Sequence, residues 1–74
     1  MPSVPPLKPH QLIAALKKLG FAELRQRGSH KQFRHADGRG TTVPVHQGRD
    51  IAPTLVRKIA RDIKVEIDEF LGQL

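Results

Sequence analysis

The middle of the chain limits the fold most, because it has no helical periodicity and is divided by two turn signals. Gly28-Ser29 fits a two-residue reversal with glycine first, and Asp37-Gly38-Arg39-Gly40 is a strong turn sequence. The segments around these turns predict three strands, at about 21–27, 30–35 and 41–45. Pro44 favours an edge position for the third strand, since proline cannot donate a backbone hydrogen bond. We therefore expect a three-stranded antiparallel meander.

An amphipathic helix is predicted on each side of this meander, and a short closing helix at 66–74. Pro9 and Gly20 fit the start and the end of the first helix, and Pro53 fits the start of the second. The two apolar stripes are Leu12, Ile13, Leu16 and Leu19, and Leu55, Val56, Ile59, Ala60 and Ile63. Both stripes need the same sheet face for burial, which leaves the other face open to water. The predicted fold class is α+β, with helices on one face of the sheet.

The 74 residues leave room for one domain, which we place at residues 9–74. Residues 1–8 hold three of the six prolines and predict a flexible Pro-rich leader. The chain has no cysteine, so disulfides and thiolate metal sites are excluded. We find no signal peptide and no apolar run long enough to span a bilayer, and we expect a soluble, cytoplasmic protein without membrane contact.

The charge balance favours a polyanionic partner. Thirteen Lys and Arg against seven Asp and Glu give a formal charge of +6, and nucleic acid is the usual partner of so basic a small domain. A basic domain that binds nothing in particular is the alternative. The three phenylalanines all occupy core-like positions, so contacts with RNA should run through phosphates rather than through base stacking.

Strand alternation predicts which side chains reach the open face. Phe33 should point at the helices, which turns His30 and Arg34 outward. We assign Ala22 and Leu24 to the inner side of the first strand, so that Glu23, Arg25 and Arg27 face outward, and Val43 and Val45 to the inner side of the third, so that His46 faces outward. Lys31 has inward parity but lies beside the turn, where phosphate contact and a solvated strand end are equally possible.

His30 has the chemistry that metal-free RNA cleavage needs. An imidazole can remove the proton of a ribose 2′-OH or protonate the departing 5′-oxygen, because its pKa lies near neutrality. Nearby cations can bind the phosphate and stabilise the growing negative charge. A metal site is the weaker interpretation, because the spacing of its possible ligands, His30, His35, His46, Asp37 and Asp50, matches no metal motif. We expect no metal, no cofactor and no small-molecule ligand.

Several segments resemble the HicA family of toxin endoribonucleases over about Leu12 to Leu71. The resemblance lies in Gly20-Phe21, Arg27-Gly28-Ser29-His30, Asp37-Gly38-Arg39, Val43-Pro44-Val45-His46 and Ile51-Ala52-Pro53-Thr54-Leu55. It implies an α-β-β-β-α fold like that of double-stranded-RNA-binding domains, cleavage of messenger RNA, and a HicB-type antitoxin that covers the active face. It also implies that His30, the histidine of Gly-Ser-His, is the catalytic residue. The residues we expect to contact RNA are Arg25, Arg27, Ser29, Lys31, Arg34 and His46.

Two other functions remain possible from the sequence. A non-catalytic module could read the shape of double-stranded RNA through phosphate and 2′-OH contacts. A protein-binding adaptor could use the basic face to meet an acidic partner. His46 could position RNA, assist His30 or simply end the third strand.

Overall fold

The computed structural model describes residues 3–74, and it has an open three-stranded sheet with helices packed on one side. The elements in chain order are α1 Pro9–Lys18, β1 Phe21–Arg27, β2 His30–His35, β3 Gly40–Pro44, α2 Pro53–Asp62 and α3 Ile67–Leu71. The strands are antiparallel, with β2 in the centre. The predicted α+β fold and its three-stranded antiparallel sheet are confirmed.

The helices bury the stripes that their sequences predict. In α1 the side chains of Leu12 and Leu16 are fully buried, and in α2 those of Val56 and Ile59 are. The closing helix adds Phe70, which is also fully buried. Burying one such side chain stabilises the fold by about 1.5–3 kcal/mol. Within residues 3–74, no helix is long and apolar enough to cross a membrane.

The inner face of the sheet is apolar along β2 and β3. Phe33 is 2% exposed and Val43 is fully buried, and both point at the helices as predicted. Phe33 and His30 are three positions apart on β2, so their side chains lie on opposite faces of the sheet and His30 is on the open face. Their partners on β3, Thr41 and Pro44, share these faces, because directly paired residues lie on the same side. The sheet therefore has one face in the core and one in water.

The first strand differs from its predicted alternation. The pairing shifts at a β-bulge between Glu23 and Arg25, so Leu24 has no cross-strand partner and is 59% exposed. Before the bulge, Ala22 is exposed on the open side, whereas Glu23 pairs with Phe33 and lies on the inner side. The inward assignment of Ala22 and Leu24 and the outward one of Glu23 were therefore wrong. The bulge reverses the parity, which returns Arg25 and Arg27 to the open face.

The Pro-rich segment also differs from its prediction as a flexible leader. Val4 and Leu7 are 9% and 3% exposed, and both belong to the hydrophobic core. Leu7 forms an antiparallel bridge with Ile51, with N···O distances of 3.1 and 2.6 Å. The packed domain therefore includes residues before Pro9, because their apolar side chains cover the core beside the segment that precedes α2. Residues 1–2 lie outside the described part.

Candidate nucleic-acid interface

Four basic or titratable side chains share the open face of β1 and β2, and we call them the open-face cluster: Arg25, Arg27, His30 and Arg34. Arg27 pairs directly with His30 across the two strands, which sets their Cβ atoms about 4.5–5.5 Å apart. Arg25 pairs with Gln32, and its Nε donates a hydrogen bond to Gln32 Oε1 at 3.0 Å. All four cluster members are exposed.

His30 is positioned by the tight turn before it. Gly28 has a φ of +56°, a left-handed conformation that side chains seldom adopt, and the chain reverses there directly into β2. The ring lies between the two edge strands, opposite Arg27 on one side and Pro44 on the other. Among residues 3–74 it has no hydrogen-bond or ion-pair partner. The imidazole is therefore free to meet an external group.

Among residues 3–74, no carboxylate forms an ion pair with a member of the open-face cluster. The ion pairs Lys8–Asp50, Lys31–Glu23, His35–Asp37, Arg39–Asp37 and Lys58–Asp62 all lie elsewhere. The nearest carboxylate along the strands, that of Glu23, is on the inner side and pairs with Lys31 at 3.4 Å. Adjacent cations on one face repel each other, and an anion such as a phosphate relieves this repulsion.

The other predicted contact residues do not belong to this cluster. Ser29 lies in the turn, where its carbonyl accepts a hydrogen bond from the Val45 N–H at 2.6 Å. Lys31 is half-buried on the inner side, in the ion pair with Glu23. His46 is exposed just beyond β3. The structure therefore brings together Arg25, Arg27, His30 and Arg34, and it leaves Lys31 on the inner side of the sheet and His46 beyond the end of β3.

Lys31 and His46 instead line an open cleft of about 340 Å³ between the start of α1 and the loop after β3, which we call the edge cleft. Lys8, His10 and Arg49 also line it. The sequence does not mark these three residues as a group, because Arg49 is about 40 residues away from the other two. Lys8 precedes α1, His10 lies in its first turn and Arg49 is in a loop, so no motif joins them.

The opposite end of β2 holds a second group of similar residues, which we call the Arg39 cluster: Phe21, His35, Asp37 and Arg39. His35 Nδ1 accepts a hydrogen bond from the Asp37 N–H at 3.0 Å, and its ring packs edge-on against Phe21 at 5.1 Å between centroids. A Cβ atom on Gly20 would lie only 2.8 Å from His35 Nε2. Glycine at position 20, with φ +95°, therefore permits both the turn and the close approach of the ring.

Arg39 joins the turn after β2 to the end of α2. Its Nε donates to both carboxylate oxygens of Asp37, at 3.1 and 2.8 Å, and its Nη1 donates to the Ile63 carbonyl at 2.6 Å. Its guanidinium lies 5.2 Å from the ring centroid of Phe21. The Arg39 N–H, which donates to the Asp37 carboxylate, and the guanidinium lower the pKa of Asp37 below its usual value. The Asp-Gly-Arg run therefore forms the turn and also attaches it to the end of α2.

The histidines are distributed over separate regions of the molecule. His30 is on the open face, His35 is in the Arg39 cluster, and His46 is at the edge cleft. Among the residues that the structure describes, no three His, Cys, Asp or Glu side chains are grouped as metal ligands would be.

Comparison of the sequence with protein families finds a match over most of the chain. A family model described as the HicA toxin of bacterial toxin–antitoxin systems matches residues 9–65, which is well over half of the chain. The match includes the whole open-face cluster and the Arg39 cluster. No curated protein matches the chain.

Proposed function

This chain belongs to the HicA family of toxins of bacterial toxin–antitoxin systems, and we propose that it is an endoribonuclease that binds and cleaves messenger RNA with His30 as its catalytic residue. One observation carries the proposal. An exposed imidazole without a partner in residues 3–74 lies on a sheet face with three arginines and no carboxylate. We further propose that the protein acts in the cytoplasm.

The reaction can be written without a metal ion. The 2′-oxygen of a ribose forms a bond to the adjacent phosphorus, and the bond from phosphorus to the 5′-oxygen breaks. A base takes the 2′-OH proton, and an acid gives a proton to the departing 5′-oxygen. The products are a 2′,3′-cyclic phosphate and a 5′-hydroxyl. The His30 ring can serve as the base when neutral or as the acid when protonated, and either role contributes about 10²–10⁴-fold to the rate.

The arginines have a separate task in this proposal. Arg27, directly opposite His30, is placed to bind the scissile phosphate, and its planar guanidinium can form two parallel hydrogen bonds to phosphate oxygens. Negative charge grows on those oxygens as the 2′-oxygen attacks, so Arg27 stabilises the transition state. Arg25 and Arg34 extend the positive surface on the same face and bind neighbouring phosphates.

Membership of this family implies a cognate antitoxin. We propose that this antitoxin is of the HicB type and covers the open face. An antitoxin that meets the open-face cluster needs acidic side chains, because burying four basic or titratable groups without counter-charges is costly. Such a partner neutralises the toxin by excluding RNA from His30.

RNA cleavage by the purified chain in EDTA tests the proposal. We expect wild type to cut a transcript into fragments with 2′,3′-cyclic phosphate and 5′-hydroxyl ends, and to leave the matching 2′-deoxy strand intact. His30→Ala should lower the rate about 10²–10⁴-fold. An uncut transcript, or undiminished cleavage by His30→Ala, contradicts the catalytic assignment.

A non-catalytic RNA-binding module is the second candidate. It is favoured by the position of His46, which follows the end of β3 and lines the edge cleft, so His30 is the one imidazole at the described strand positions of the open face. This candidate predicts RNA affinity in wild type, unchanged affinity in His30→Ala and no cleavage by either protein.

A further inference from the structure

The edge cleft, defined above, is a cationic depression that the proposed catalytic chemistry does not use. Its walls come from the start of α1 and from residues 45–50, and it is open to solvent. Its basic or titratable lining residues are Lys8, His10, Lys31, His46 and Arg49. Asp50 is the one acidic residue of the lining, and the apolar contacts come from Ile13 and Val45.

The charge of the cleft remains positive after its internal ion pairs are counted. Lys8 Nζ lies 3.4 Å from Asp50 Oδ1, and both side chains are at least half exposed, so water screens this pair. Lys31 is paired with Glu23. Arg49 has no side-chain partner among residues 3–74 and is exposed. The first turn of α1, at the same wall, contains no acidic residue.

Backbone hydrogen bonds hold the cleft at a fixed place relative to His30. The Val45 N–H donates to the Ser29 carbonyl at 2.6 Å, immediately before His30. The Arg49 N–H donates to the His46 carbonyl at 3.1 Å, which closes a turn. Given the His30–Pro44 pairing and the usual spacings of strands and turns, the Cα atom of Arg49 lies within about 20 Å of that of His30. Several nucleotides of RNA can cover this distance.

We propose that the edge cleft is a second phosphate-binding subsite, which holds the phosphodiester backbone of the same RNA strand several nucleotides away from the scissile bond. The inference rests on the proposed function for the identity of the strand at His30. Arg49 is its principal ligand, because it is the arginine of the lining without an acidic partner. Lys8 assists, and Asp50 opposes binding by its charge. The cleft has no Phe, Tyr or Trp in its lining, so it contacts phosphates and does not stack bases.

The subsite predicts an affinity that depends on RNA length. The probes are 2′-O-methyl RNAs of about four and about twelve nucleotides, which lack the attacking hydroxyl and cannot be cut. Arg49→Ala should weaken the longer RNA several-fold, lower its salt slope by about 0.7, and leave the shorter RNA unchanged. Asp50→Asn should tighten binding of the longer RNA. Arg61→Ala, which removes an exposed arginine from α2, is the matched control and should change neither.

Equal effects of Arg49→Ala on both lengths, no effect on either, or the same effect from Arg61→Ala would overturn the subsite. Cleavage kinetics separate this result from a failure of the proposed function. If wild type cuts RNA, Arg49→Ala should raise KM for the longer substrate and leave kcat unchanged. If wild type cuts nothing but Arg49→Ala still weakens only the longer RNA, the subsite stands and the catalytic role of His30 fails.

Discussion

The two ends of β2 carry similar residues in opposite circumstances. At one end His30 faces Arg27 in water, and within residues 3–74 no carboxylate pairs with either side chain. At the other end His35 and Arg39 both contact Asp37, and both pack against Phe21. The difference shows that a histidine with an arginine close to it does not by itself indicate a site. The position of the acid decides whether their hydrogen bonds serve the fold or remain available to a ligand.

Removing one histidine should affect RNA cleavage, and removing the other should affect the free energy of unfolding. This contrast is the largest effect we expect. His30→Ala should lower RNA cleavage about 10²–10⁴-fold and change the free energy of unfolding by less than about 0.5 kcal/mol. His35→Ala should destabilise the fold, because it removes the aromatic contact, and leave cleavage by the folded fraction near the wild-type rate. Single-turnover cleavage and urea unfolding measure the two quantities. Equal losses of activity in the two variants would remove the distinction between the two ends.

Gly20→Ala tests how tightly the Arg39 cluster is packed. The new Cβ meets both a left-handed backbone and the His35 ring, so we expect a loss of about 2–3 kcal/mol in the free energy of unfolding. Gly38→Ala is the matched control: Gly38 has a similar φ of +98°, but a Cβ there has no neighbour within 4 Å. It should cost about 1–2 kcal/mol. Identical losses in urea unfolding would mean that the His35 contact does not constrain position 20.

Two arginine variants should show the same contrast between stability and RNA binding, with smaller effects than the variants above. Arg39→Ala removes the hydrogen bond to the Ile63 carbonyl and the ion pair with Asp37, so we expect a loss of about 1–2 kcal/mol in the free energy of unfolding. Arg34→Ala removes an exposed open-face cation and should leave stability unchanged while it weakens RNA binding. Calorimetry and RNA binding by fluorescence anisotropy measure both variants. A stable Arg39→Ala protein with impaired binding would assign the Arg39 cluster to the interface.

Acid should weaken the Arg39 cluster, and this is the smallest effect we expect. The pKa of Asp37 is lower in the folded chain than in the unfolded one, so its contribution to stability is complete above the unfolded pKa. The contribution is lost as the pH falls from about 4 through the folded pKa. Asp37→Asn should therefore have a flatter decline of Tm with acid than wild type. Parallel Tm curves for the two proteins below pH 4 would contradict the assignment.

The sequence predicts those features of the fold that depend on local pattern. Periodicity placed α1 and α2, and turn residues placed the reversals on both sides of β2. Two features escaped because they depend on tertiary packing. The bulge at Leu24 lets Phe21 enter the core while Arg25, further along β1, faces water. Strict alternation of side chains along a strand cannot predict where an extra residue is inserted. Val4 and Leu7 are isolated among prolines, so no period marked them as core residues.

In the candidate site, too, local pattern predicts some features and tertiary contacts determine the others. The outward placement of His30 and Arg34 follows from alternation against a single large apolar residue, Phe33. Arg27 was also predicted to face outward, but from the inward assignment of Ala22 and Leu24, which the bulge overturns. The sequence could not show that Arg39 reaches the end of α2, or that Arg49 and Lys8 share a cleft. Those contacts join residues that are distant along the chain or separated by loops.

The histidine ring signals in NMR spectra report which imidazole meets RNA, and so they test whether His30 is the residue at the bound strand. Uncleavable 2′-O-methyl RNA is added to the labelled chain until binding is saturated, and His30→Ala and His35→Ala identify the signals. We expect the His30 ring signals to shift while those of His35 stay in place. Unchanged His30 signals at saturation, with RNA bound, would contradict this expectation.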